Sequence, residues 1–177
     1  WISQGGVQKF LLNDGMNSMD FITAVGAEYL NEAYGTSSGT SPTKSTEYFN
    51  ANYKAFSNIE PSNPAADRSY DAGAIVGLAI AAAGSDKSAD IREAIYKVVD
   101  PKGEPIYAGK EEFAKALKLI GEGKPIRYEG VIGPVAFDKY GDITGPFRLW
   151  KIKDGEVTTV GEMSTDDVGK LKAETDK

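Results

Sequence analysis

Histidine and cysteine are both absent from these 177 residues. That removes the commonest general base, the commonest metal ligand and the thiolate nucleophile together. Few segments have residue types that could still do chemistry. Gly35-Thr36-Ser37-Ser38-Gly39 fits the spacing of a G-x-S-x-G nucleophile, but such a serine needs a histidine to take its proton. Ser41-Pro42-Thr43-Lys44 fits S-x-x-K, yet the Ser-Asp-Asn and Lys-Thr-Gly partners of that chemistry are missing. Gly121-Glu122-Gly123-Lys124 has glycines and a lysine in the manner of a phosphate loop, with the wrong spacing and no following Ser or Thr. Asp138, Gly141 and Asp142 suggest a calcium loop but lack the twelve-residue pattern with its closing Glu; a hairpin turn is the expectation. Glu111 and Glu112 are adjacent, so they point to different parts of a helix surface and read as a solvated face. Asp14-Gly15 reads as a turn, with Asp favoured for its local backbone bonds. An enzyme built on Asp and Glu alone is therefore the weakest reading, and the chain is expected not to be an enzyme.

Bulk properties narrow the class further. The formal net charge of −6 argues against nucleic acid and anionic membrane as partners. A hydrophobic content of 41% suits a folded globular chain, and the length suffices for a core. The longest apolar run, residues 72–83, is far shorter than the roughly 20 residues of a membrane-spanning helix.

Periodicity and punctuation place the elements. Val7-Gln8-Lys9-Phe10-Leu11-Leu12 reads as a short buried strand that ends at Asn13-Asp14-Gly15. Residues 18–25 suit a short helix, residues 28–33 an extended segment, and residues 35–41 a flexible loop by composition. Ser41-Pro42 suits an N-cap with proline at the first helical position, and Phe49, Tyr53 and Phe56 then share one helix face. A second helix is expected from residue 65 or 66 to Ala83, stopping at Gly84. A third starts near Ser88 with Ile91, Ile95 and Val98 inward. A fourth spans 110–120, with Phe113, Ala116, Leu117 and Ile120 inward and Gly121 as its stop. Tyr70 is expected against a sheet, and Asp71 near a helix start where its charge suits the dipole. Val135 to Phe137 suits a short strand. A hairpin over residues 147–157 turns at Asp154-Gly155, and residues 164–173 form a terminal helix. Helices flanking short strands give an α/β class with too few strands to complete a sheet covered on both faces.

One segment is not generic: Tyr128-Glu129-Gly130-Val131-Ile132-Gly133-Pro134-Val135-Ala136-Phe137-Asp138-Lys139-Tyr140-Gly141-Asp142. With Ser69-Tyr70-Asp71-Ala72 opening an Ala-rich helix and Gly121-Glu122-Gly123-Lys124-Pro125-Ile126 leading into it, this order resembles the C-terminal half of the type I periplasmic binding proteins, the branched-chain amino acid receptors of ABC transporters. The resemblance implies a two-lobed fold of Rossmann-like lobes joined by hinge crossings. Residues 1–40 then belong to the second lobe, 41–145 to the C-terminal part of the first, and 146–177 to the return into the second, with hinges at 39–42 and 145–146. The N-terminal half of such a protein lies outside this sequence, which begins at Trp1 rather than Met.

The function implied is mechanical: an extracytoplasmic subunit of an importer that closes on an amino acid, branched-chain or related, by hinge motion. The same fold in a sensing receptor is the alternative. Asp14 holds the position where relatives place a carboxylate against the ligand's ammonium, a strong and oriented contact in a water-poor cleft. Asn13, Gly15 and Met16 form the wall beside it. Partners are the amino acid, the missing N-terminal half or a swapped copy, and a membrane permease. Location is periplasmic or extracellular, with membrane anchoring allowed. No cofactor or metal is implied.

Overall fold

A computed structural model describes residues 2–6, 9–138 and 140–175. The chain divides into two compact units, one of Trp1–Gly39 with Gly145–Lys177 and one of Thr40–Thr144.

The first unit is built on a four-stranded sheet. Strands β1 (Leu11–Leu12), β2 (Tyr34–Ser38), β5 (Phe147–Lys153) and β6 (Glu156–Met163) lie in the order β1-β2-β5-β6. Only β1 and β2 are parallel. Val7 and Gln8, expected in the first strand, lie outside the described residues. The β5–β6 hairpin turns at Asp154 (φ 53°) and Gly155 (φ 82°), the paired positive φ values of a tight type I′ turn. Along β5, Trp150 and Ile152 are buried while Leu149 is exposed, the period-2 alternation of a sheet with one covered face. Helices α1 (Met19–Val25) and α2 (Ala27–Leu30) supply Ile22 and Leu30 to that face, where they join Leu12, Ala33, Trp150 and Ile152. The Ser18 hydroxyl caps α1 by accepting from Phe21 N at 3.2 Å. Helix α7 (Thr165–Thr175) follows β6.

Two expectations fail in this unit. Residues 28–33 are not extended: Gly26 (φ 103°) ends α1 and re-aims the chain into a further helical turn that buries Leu30. Residues 35–38 are not a loop but part of strand β2, which lies between β1 and β5 and pairs along its whole length with β5. Their loop-like composition serves packing. Gly35 lies under the indole of Trp150, and a Cβ there would approach the ring to 2.2 Å. We expect Gly35→Ala to destabilise the protein by about 1–3 kcal/mol through overpacking, read as a lowered urea midpoint; an unchanged midpoint would contradict this packing.

The second unit packs helices around a parallel pair, β3 (Glu104–Ile106) and β4 (Ile126–Tyr128). Its helices are α3 (Lys44–Ser57), α4 (Ala66–Ala83), α5 (Ser88–Val98) and α6 (Lys110–Gly121). The core gathers Ile75, Leu78 and Ala79 of α4, Ala94 and Val98 of α5, Ala116 of α6, and Ile106, Ile126 and Tyr128 of the strands. Helix α4 ends at Gly84 in the left-handed conformation (φ 58°), as its sequence leads one to expect.

Several boundaries differ from expectation. The N-cap of α3 is Thr43, not Ser41: Thr43 and Thr46 form a reciprocal capping box, and Ser41 N donates to Ile132 O instead. Phe56 is 94% exposed, while Phe49 and Tyr53 of the same face pack. Leu117 is half exposed, one position off the stripe of Phe113, Ala116 and Ile120. Gly121 lies within α6, and the left-handed glycine after it is Gly123 (φ 70°). Tyr70 stacks edge-on against Phe49 of α3 (5.4 Å between centroids). Val135 to Phe137 is not a strand: isolated bridges form only at Pro134, with Glu129, and at Phe137, with Ile143, since Pro134 has no N–H and Gly133 (φ 133°) turns the chain. The turn after it forms as expected, with Asp138 Oδ1 accepting from Tyr140 N and Asp142 N at 2.8 and 3.0 Å; Lys139 within it lies outside the described residues.

Candidate functional site

Strand β1 delivers the chain into a single 3-10 turn, Asp14–Met16. Asn13 remains extended (φ −95°, ψ 176°), and Asp14 opens the turn. Asp14 is exposed, and its Oδ1 accepts from Gly15 N at 3.0 Å. The local turn bond and an outward carboxylate therefore coexist. Among the described residues, no lysine or arginine is paired with Asp14. Asn13 and Gly15 are exposed, whereas Met16 is half-buried against the unit's core. Met16 N and Asn17 N close the turn on Asn13 O and Asp14 O at 3.1 and 3.0 Å. Gly15 does not adopt a positive φ, and a Cβ there would meet only Asn13 Oδ1, at an ordinary 3.5 Å. Backbone strain is thus not the reason for a glycine at 15.

Beneath this turn runs a cross-strand row. Leu12 pairs with Gly35, and Gly35 with Trp150. Paired residues share a face, so the Trp150 indole lies across Gly35 toward β1. Trp150 is 1% exposed, and its Nε1–H has no acceptor among the described residues. Alongside lies an apolar groove of about 630 Å³, lined by Phe10, Leu12, Met16, Phe21, Tyr29 and Leu30 among others. Strand β1 is the edge of its sheet, and Leu11 on its other face is 78% exposed.

The second unit holds a buried polar cluster that the sequence reading missed. Asp71 sits on the second turn of α4, near the helix start as expected, but it is 2% exposed, which the sequence did not indicate. It accepts from Tyr128 OH at 2.9 Å, from Val131 N at 2.8 Å and from Ile132 N at 3.0 Å. Burial pushes the carboxyl up from its ordinary range, while these donors pull it back. Burial, then the adjacent carboxylate, pushes the Tyr128 phenol up, so it stays a donor. Hydroxyls at the start of α3 take the carbonyls of the same segment. Thr43 Oγ1 donates to Gly130 O and Thr46 Oγ1 to Val131 O, both at 2.7 Å, and Ser45 Oγ donates to Glu129 O while accepting from Ala108 N at 2.8 Å. Glu129 is paired with Arg127 Nε at 2.6 Å. These groups are paired with one another or with the protein's own backbone, so the cluster fixes residues 129–132 rather than offering a site. One signal was available: Asp71 stands four residues before buried Ile75, on the inward stripe of α4. Glu112, expected to be solvated, likewise turns back to accept from Tyr107 N at 3.1 Å.

Comparison with solved structures decides the architecture. A leucine-binding protein of Thermotoga maritima superposes with a TM-score of 0.62 at 21% identity, over 94% of this chain and 40% of its own. The substrate-binding protein of a branched-chain amino acid transporter from Streptococcus pneumoniae, solved with isoleucine, superposes with a TM-score of 0.57 at 20% identity, over 92% of this chain and 38% of its own. The fold is that of the type I periplasmic binding proteins. The chain thus spans about 40% of the length of the type I structures it matches. No family model and no curated protein matches the sequence. Among the described residues, no helix of this type I chain is long and apolar enough to cross a membrane.

Proposed function

We propose that the chain is the C-terminal half of an extracytoplasmic solute-binding protein that serves an ABC importer and binds an amino acid, branched-chain or related, between two lobes. The observation that carries this reading is the fold likeness over more than nine-tenths of the chain to two branched-chain amino acid binding proteins. In this reading residues 1–40 and 146–177 belong to the second lobe and 41–145 to the first. The hinge residues are 39–42 and 145–146. Gly39 N donates to Pro146 O at 2.7 Å, a bond that suits two crossing segments held side by side. Asp14 holds the ligand's ammonium; its exposure, with no cation paired to it among the described residues, supports that role. Asn13, Gly15 and Met16 wall the same place.

The remaining half of the protein has seats to fill. The open edge of β1 with its apolar groove suits a continuing sheet. Val76 and Ile80 are 44% exposed on α4 and Leu117 is 52% exposed on α6, an apolar surface that suits cover by a further chain segment or a swapped copy. The protein works as a receptor and not as an enzyme, outside the cytoplasm, and presents its closed form to a membrane permease.

The test is calorimetric titration of the complete protein with a panel of amino acids. Saturable one-to-one heat with leucine, isoleucine or valine is the expected result. Absence of heat with every amino acid would remove the amino acid assignment.

A further inference from the structure

A loop whose backbone groups are all paired within the protein is a rigid one. Residues 129–132 are such a loop. Glu129 N donates to Ile106 O at 2.8 Å and Gly130 N to Gly133 O at 2.9 Å. Val131 N and Ile132 N donate to the Asp71 carboxylate at 2.8 and 3.0 Å. The carbonyls of the same four residues all accept from residues 41–46. Ser45 Oγ donates to Glu129 O, while Thr43 Oγ1 and Thr46 Oγ1 donate to Gly130 O and Val131 O, both at 2.7 Å. Ser41 N donates to Ile132 O at 2.8 Å. Gly133 (φ 133°) closes the fit, since a Cβ there would stand 3.1 Å from both Ser41 Cβ and Ser41 O. Asp71 ties the loop to α4, whose Ile75, Leu78 and Ala79 lie in the core of the second unit.

This stitching stops one residue short of the unit boundary, which falls between Gly39 and Thr40. On the other side of that boundary Gly39 N is held by Pro146 O at 2.7 Å. Thr40, between Gly39 and Ser41, has no hydrogen bond among the described residues. The return boundary falls between Thr144 and Gly145. Gly145 likewise has no hydrogen bond among the described residues, and a Cβ on it would meet nothing within 4 Å.

We propose that residues 41–46 and 129–133 form a rigid seat on which the first crossing is mounted, so that the chain bends at Thr40 and, on its return, at Gly145. The inference rests on the two-lobed reading above and narrows its hinge. Ser41 and Pro42 belong to the seat, and Gly39 and Pro146 to the paired segments of the first unit. A hinge needs only a few residues to absorb the change in φ and ψ. Paired backbone on either side confines the change to the residues left unpaired.

Amide hydrogen exchange of the complete protein, read residue by residue without ligand, is the first test. Relative to their intrinsic rates, Ser41, Val131 and Ile132 should exchange roughly a hundredfold or more slowly than Thr40 and Gly145. Equal protection at Ser41 and Thr40 would overturn the proposal. The second test uses L-leucine as probe and the radius of gyration from small-angle scattering as readout. The wild type should contract on saturation. Pro42→Ala frees a φ inside the seat and should contract as the wild type does. Thr40→Pro fixes φ and removes an N–H that bonds nothing, and it should lose most of the contraction. Full contraction by Thr40→Pro, or a contraction altered by Pro42→Ala, overturns the placement of the bend. So does leucine binding by the wild type without contraction. No leucine binding by the wild type ends the amino acid reading instead, and the exchange rates of the free protein still decide between a paired seat with a free Thr40 and its absence.

Discussion

Asp14→Ala is expected to weaken amino acid binding in the complete protein by roughly one and a half to three and a half decades. Truncating one partner of a desolvated charged hydrogen bond costs about 2–5 kcal/mol, at about 1.4 kcal/mol per decade. Much of that loss is the ammonium left in the closed cleft without its counter-charge. Asp14→Asn should lose less, because an acceptor remains and only the charge is gone. Folding should barely change, since Asp14 is exposed and its one bond is to the neighbouring Gly15 N. Titration calorimetry measures the first effect and urea unfolding the second. Unchanged affinity for the best ligand would take Asp14 out of the site. A best ligand without an amino group would end the amino acid assignment while leaving a solute-binding role standing.

The second large effect belongs to Asp71. Asp71→Ala strips the acceptor from Tyr128 OH, Val131 N and Ile132 N together. Donors stranded in a buried site cost about 1–3 kcal/mol each, and partial relaxation brings the expected total to about 3–5 kcal/mol. Asp71→Asn should cost less, because its one carbonyl oxygen still serves Tyr128 OH and Val131 N while its amide faces Ile132 N. The measurement is the urea midpoint of the complete protein. A midpoint shifted by less than the error of the measurement would mean that the three bonds do not hold residues 129–132. Gly130 makes the arrangement strict, since a Cβ there would stand 2.5 Å from Asp71 Oδ2.

The contrast between these two aspartates marks how far the sequence reaches. From its residues alone Asp14 reads as a turn former, and the structure shows that turn bond, Asp14 Oδ1 accepting from Gly15 N; only the family resemblance singled it out for a ligand. The burial of Asp71 was not legible because its partners lie 57 to 61 residues away. An aspartate early in a helix looks the same whether it faces water or the core, and only packing decides. The same reason explains β2. Gly35-Thr36-Ser37-Ser38 has the composition of a loop, and nothing local reveals that Trp150, on a strand paired much later, requires that glycine.

By itself the sequence determined the α/β class, the four long helices, the β5–β6 hairpin with its Asp154-Gly155 turn, and the stop of α4 at Gly84. These rest on period, capping and φ preferences that act over a few residues. The motif order around Tyr128-Glu129-Gly130 pointed to the type I fold, which the superposed structures bear out. Only the tertiary structure decided that residues 34–38 form an interior strand, that Thr43 caps α3, that Asp71 and the α3 hydroxyls fix residues 129–132, and that the Trp150 indole is buried across Gly35. Each is set by groups distant in sequence, whose desolvation and pairing are determined where the chain meets itself.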